Sequence, residues 1–232
     1  MPNHPNIDII VRLAREDLAI LHARKKIREA IEAQKKTKQD LKDAEDHLSK
    51  MRSALATLKG EEQRLQQEIE TYERRRSTAH RVLETGNGDP DAAERQLKQC
   101  ADIIGELESE LLMNLDSHEQ TDGDIVHHTV ALTTLGQSTV DTLSTLTETI
   151  AQCEQTIHEK KTSRTHIASQ LESFLLKRYE QLRQSKGTAV ARVVDECCRS
   201  CRLAIPMQDQ SDLRRGREIA CKKCGRWLFL AE

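Results

Sequence analysis

Aromatic residues are almost missing from this sequence: one Trp, two Tyr and two Phe in 232 positions. Without them a large globular core is excluded, because aromatic side chains supply much of the apolar area such cores bury. Proline is also scarce, with four residues at Pro2, Pro5, Pro90 and Pro206. No apolar run approaches the ~18 residues a membrane-spanning helix needs. The first ten residues, MPNHPNIDII, have neither the basic start nor the apolar stretch of a secretory signal, so a cytoplasmic location is expected. No glycine-rich phosphate loop or nucleophile elbow occurs, and the expectation is a protein without enzyme activity.

Charge and heptads fill the space these absences leave. Charged residues make up 32% of the chain with a formal net charge of −2, and both signs are mixed, as on solvated helix faces. Every seventh residue from Leu13 gives Leu13, Ile20, Ile27, Gln34, Leu41, Leu48, Leu55, Glu62, Ile69, Arg76 and Leu83. The companion row runs Glu16, Ala23, Ala30, Thr37, Ala44, Met51, Leu58, Leu65, Tyr72 and Ala79. Alternating spacings of three and four make a coiled-coil seam, and only Gly60 interrupts it. Gln34, Glu62 and Arg76 weaken the seam and are expected to fix its register. At ~1.5 Å per residue this arm would be roughly 100 Å long.

Glu84 to Asp91 gathers Gly86, Asn87, Gly88, Asp89 and Pro90, the strongest turn signal in the chain. A short link between two long striped helices makes them antiparallel neighbours. The return stripe continues through Leu97, Cys100, Ile104, Leu107 and Leu111. It softens from Asn114 to Thr149, where threonine is frequent and Gly123 and Gly136 intervene, and a kink or stutter is expected near Leu143. Ile167, Leu171, Phe174 and Leu175 then carry the seam to about Gln184. Cys100 and Cys153 read as small core residues, and adjacent His127 and His128 do not face one point on a helix. The fold class is therefore mainly α: a long antiparallel coiled-coil hairpin over 7–185, turning near 85–91, with a small β unit over 187–232.

That last unit holds the chemistry. Cys198-Arg199-Ser200-Cys201 and Cys221-Lys222-Lys223-Cys224 are separated by nineteen residues. Two C-x2-C knuckles at this spacing direct four thiolates at one tetrahedral Zn²⁺ and leave no open position, so one structural zinc ion is expected. A single redox pair, a secreted disulfide pair and an iron–sulfur site each suit this pattern less well. Cys197 offers a C-x3-C alternative, but Cys198 makes the knuckles equivalent. Gly225 sits where the second knuckle turns. Thr188 to Val194 and Arg226 to Leu230 are strand candidates, and Pro206 and Gly216 punctuate the middle. So small a unit needs its metal to fold.

Charge is uneven along the chain. Glu84 to Asp124 holds twelve acidic and two basic residues, and Lys177 to Glu232 holds thirteen basic and seven acidic. Arg214, Arg215, Arg217 and Arg226 are candidates for contact with a partner, together with whichever of Trp227 and Phe229 is exposed. A protein partner is expected ahead of nucleic acid. No membrane contact is expected, and the chain is a monomer or dimer.

Long hairpin and terminal ribbon together resemble a bacterial family of C4-type zinc-ribbon coiled-coil proteins, also met as nucleic-acid-binding zinc-ribbon proteins. The residues that carry the resemblance are Arg178-Tyr179-Glu180, Gly187, the four knuckle cysteines, Leu203 to Pro206, and Gly225-Arg226 with Trp227-Leu228-Phe229. Lys222 stands where the family usually has proline, Trp227 where it has an aliphatic residue and Phe229 where it has tyrosine. The resemblance implies a non-enzymatic adaptor. The roles it brings are regulation of flagellar or type III secretion machinery, association with the sigma factor sigma-54, and nucleic-acid binding.

Overall fold

The structure, a computed structural model, describes residues 4–230. Helix α1 runs Pro5–Thr85 and α2 runs Pro90–Ala168. A shorter α3 (Ser173–Lys186) leads into β1 (Val190–Val194), β2 (Cys197–Cys198), α4 (Met207–Arg214) and β3 (Trp227–Phe229). The chain forms a long helical hairpin with a small C-terminal sheet, and no described helix is long and apolar enough to cross a membrane. It divides into two compact units. An arm spans Lys35–Leu143, and a base combines Met1–Gln34 with Ser144–Glu232.

The hairpin turns at residues 86–89. Gly86 and Gly88 take positive φ, and a Cβ on Gly88 would lie 2.8 Å from Val82 Cγ1, so any other residue there would strain the backbone and push Val82 aside. The Asp89 carboxylate accepts from the Asp91 and Ala92 amides, and Pro90 takes the first helical position.

Inside the arm, Leu48, Leu65, Ala79, Ala93, Cys100 and Ile104 are buried, a seam one or two side chains wide. Its polar interruption at Glu62 meets His118 across the hairpin at 3.3 Å, and His47 packs edge-on against His128. In the base, Gln34 Nε2 donates to Thr147 at 3.0 Å. These pairs lie at nearly equal chain distances on either side of Gly88, which is antiparallel pairing within one chain. Arg76 makes no such contact and is exposed. The threonine-rich stretch stays helical through Leu143. The hydroxyls of Thr121, Thr129, Thr133 and Thr142 bond to carbonyls four residues back, which satisfies them without unwinding the backbone.

The return helix instead breaks at residues 169–172, where amides bond three residues back to Ile167 and Ala168. The break resets the phase. Leu171 and Leu175 enter the core of the base, while Phe174, expected on the seam, faces solvent.

Candidate metal centre and its mounting on the hairpin

Each knuckle sits at the tip of a minute antiparallel ladder. Cys197 bridges Ala204 across the first and Ala220 bridges Trp227 across the second. The two are built alike. Cys198 N–H donates to Leu203 and Arg202 N–H to Cys198, while Cys221 N–H donates to Arg226 and Gly225 N–H to Cys221. The residue after the second cysteine is left-handed in both, with φ 61° at Arg202 and 73° at Gly225. Glycine adopts that conformation freely, whereas arginine pays a Cβ penalty.

Four sulfur atoms converge. The Sγ atoms of Cys198, Cys201, Cys221 and Cys224 lie within 4.8 Å of one another, with Cys198–Cys224 at 3.8 Å and Cys201–Cys221 at 3.7 Å. Cys197 is outside the cluster, as strand alternation requires of the neighbour of Cys198. Burial pushes the Cys198 thiol up to about 12. At Cys224 burial acts in the same sense, but hydrogen bonds from Arg226 and from the Cys221 and Cys198 thiols together outweigh it and lower the pKa. Such a set of thiols can hold a metal ion.

Between the knuckles the chain is helical where only punctuation was expected. Pro206 opens α4 and Gly216 follows it in the left-handed region. α4 gives Leu213 to a core with Ala191, Ile205, Leu228 and the buried cysteines. The sheet has the order β2-β1-β3, with β1 antiparallel to β2 and parallel to β3.

β3 joins this small core to the helices. Leu228 belongs to the knuckle core, while its neighbour Trp227 belongs to a second core with Ile7, Ile10, Leu13, Ile167, Leu175 and Tyr179. Trp227 is 0% exposed, and this corrects its candidacy as a partner anchor. Alternation along a strand covered on both faces sends both side chains inward. Its indole N–H donates to Glu218 at 2.8 Å, and the Arg178 guanidinium lies 4.6 Å from the ring centre.

Arg226 is half-buried and engaged within the molecule. Its guanidinium donates to the carbonyls of Thr188 and Lys186, at 3.0 and 2.8 Å, and so caps the end of α3. Lys186 returns the contact through its amine to the Cys224 carbonyl. Arg217 pairs with Asp212 at 3.3 Å and Lys222 with Asp209 at 3.0 Å. Arg214 and Arg215 are exposed, and Phe229 is half-buried.

The tripeptide Arg178-Tyr179-Glu180 is explained by its contacts. Arg178 covers Trp227. Tyr179 is buried and donates to Asp17 at 2.7 Å. Glu180 takes Arg164 and Arg183, and both of these also reach Asp17. One carboxylate of α1 thereby ties α2 and α3 together. Burial, then the bond to Asp17, raises the Tyr179 pKa. Asp17 and Glu180 hold Arg164 above its ordinary value although burial opposes them.

Residues 13–187 match the profile of the CT398-like coiled coil hairpin domain. The chain belongs to this family. It is 25% identical over 202 residues to an uncharacterized protein of Mycobacterium tuberculosis, Rv2229c, covering 82% of this chain and 80% of that one. Among solved structures, CT398 from Chlamydia trachomatis is similar with a TM-score of 0.78 at 15% identity, covering 97% of each chain. A protein from Mycobacterium smegmatis gives 0.70 at 16% identity, over 99% of this chain and 100% of that one. The HP0958 protein from Helicobacter pylori gives 0.63 at 12% identity, over 99% of each chain. These likenesses show the fold. Within CT398-like hairpins, this chain therefore combines the family's coiled coil with a four-cysteine cluster mounted on its base.

Proposed function

We propose that this CT398-like protein is a non-enzymatic adaptor of the cytoplasm, with a zinc-held ribbon as its docking head. The observation that carries the reading is the rigid mounting of the ribbon. Trp227 inserts into the helical core while Leu228 closes the knuckle core, so the metal cluster and the hairpin base form one body. Zinc is favoured by the sulfur spacing. A tetrahedron with Zn–S bonds of about 2.3 Å has edges of about 3.8 Å. Two of the sulfur pairs stand at 3.8 and 3.7 Å. Four thiolates fill the shell, which suits a structural ion and leaves no site for substrate.

Regulation of a sigma factor, or of flagellar or type III secretion machinery, is the role the family resemblance brings to this reading. Nucleic-acid binding is the second reading, favoured by the exposure of Arg214 and Arg215. It loses its best stacking residue to the core, because Trp227 is buried. Affinity capture from the native host, with and without nuclease, separates the two. Protein partners retained after nuclease support the adaptor. Recovery that nuclease abolishes overturns it in favour of nucleic acid.

A further inference from the structure

α1 carries a second apolar stripe besides the one that faces α2. Val11, Ala14, Leu18 and Leu21 follow the same three–four spacing on another side of the helix. Val11 is buried under α3 and the sheet. Two and three turns further on the cover ends, and Leu18 and Leu21 are 51% and 55% exposed. They line an open groove of about 640 Å³ whose other wall is Val190 and Phe229 of the sheet. Phe229, half-buried, is thus set in a wall rather than on an outer face.

Charge around this groove has one free sign. Its carboxylate, Asp17, is already taken by Arg164, Arg183 and Tyr179. Arg15 and Arg192 line it, are exposed, and make no ion pair among the described residues. The stripe runs on along α1 to Lys25 and Arg28. Lys25 pairs weakly with Glu29 at 3.6 Å, and Arg28 is exposed without an ion-pair partner among the described residues.

Resting on the adaptor reading, we propose that this groove receives an acidic amphipathic helix of a partner protein. The heptad spacing of Leu18 and Leu21 selects a helix as occupant, because knobs from a second helix fit holes at that spacing. The arginines at the sides and the basic run beyond Leu21 select carboxylates on its flanks. Hot-spot energy would come from large apolar side chains buried against Leu18, Leu21 and Phe229.

The probe is a fluorescent designed helix of about two heptads with leucine at the core positions and glutamate beside them, against a lysine-flanked twin. Anisotropy with the full chain should show saturable binding of the acidic helix, weakened by salt, and at least roughly tenfold weaker binding of the basic one. Leu18→Glu with Leu21→Glu should abolish it while helical circular dichroism and metal content stay unchanged, since both leucines are already half in water. Arg15→Glu with Arg192→Glu should reverse the preference toward the lysine twin. Failure of the acidic helix to bind, equal binding of both probes, or binding untouched by the leucine changes would each overturn the proposal. So would sedimentation showing that the leucines instead join two copies of the chain. Capture from the host separates this from the adaptor reading. Identical protein partners for the wild type and the leucine variant remove the groove but leave the adaptor. No protein partner for the wild type removes the adaptor itself.

Discussion

The arm and the base are built from the same two helices and are held by different means. In the arm a narrow apolar seam repeats with the heptad, and apart from Glu62 with His118 its ion pairs among the described residues, such as Arg64 with Glu68 and Arg74 with Glu70, lie on exposed faces within one helix. Exposed pairs of this kind contribute little, because water and salt screen them and ordering two long side chains costs entropy. The base adds α3, a sheet and a four-cysteine cluster, and concentrates its contacts on a few residues that each serve two neighbours. Asp17 joins three partners, and β3 fills two cores with consecutive side chains. Damage in the arm should therefore be graded and local, whereas single changes in the base should be severe.

Removing a metal ligand should separate the regions most sharply. Cys221→Ser is expected to abolish stoichiometric zinc and unfold the ribbon while most of the helical circular dichroism remains, because the arms hold themselves by their own seam. Cys197→Ser should leave zinc content unchanged, and metal analysis of both variants checks this. Trp227→Ala comes next. It empties the junction of the two cores at a cost of about 3–5 kcal/mol, read by denaturant unfolding.

Tyr179→Phe keeps the ring and deletes one bond to a carboxylate, for a loss of about 1.5–3 kcal/mol. The pH dependence has a definite sign. The Tyr179 pKa is raised on folding above its ordinary 10.0 by burial and by Asp17. Its contribution to stability is thus fully present below pH 10 and is lost as pH rises above that value. Unfolding free energies measured between pH 9 and pH 11 should fall more steeply for the wild type than for the phenylalanine variant.

The smallest effect is a gain. Arg202→Gly removes the left-handed strain that Gly225 avoids in the twin knuckle, and should stabilise the ribbon by roughly 1 kcal/mol. Slower zinc loss to a chelator is the readout.

Local signals carried most of this organisation into the sequence. The heptads, the cluster from Gly86 to Pro90 and the cysteine spacing each depend on a few neighbouring residues, and the structure places the hairpin turn and the four converging sulfurs where those signals lie. What the sequence hid depends on residues far apart. Trp227 and Phe229 looked equivalent by alternation, because nothing in the strand tells that helices cover the Trp227 face. Arg226 looked like free charge because the carbonyls it caps lie forty residues away at the end of α3. The break at 169–172 contains neither proline nor glycine, and packing of α3 on the base produces it without a local breaker. The second stripe of α1 was readable at Val11, Ala14, Leu18 and Leu21, but the stronger seam beside it masks the pattern.

Hydrogen exchange on the intact chain, before and after chelation, tests most directly whether the metal cluster holds the ribbon on a hairpin that stands by itself. With metal, amides of β1, β3 and α4 should be protected together with those of α3. After chelation, exchange across 188–230 should become fast, while amides of the arm over 35–143 keep their protection. Ribbon amides that remain protected without metal, or arm amides that lose protection with it, would contradict the account.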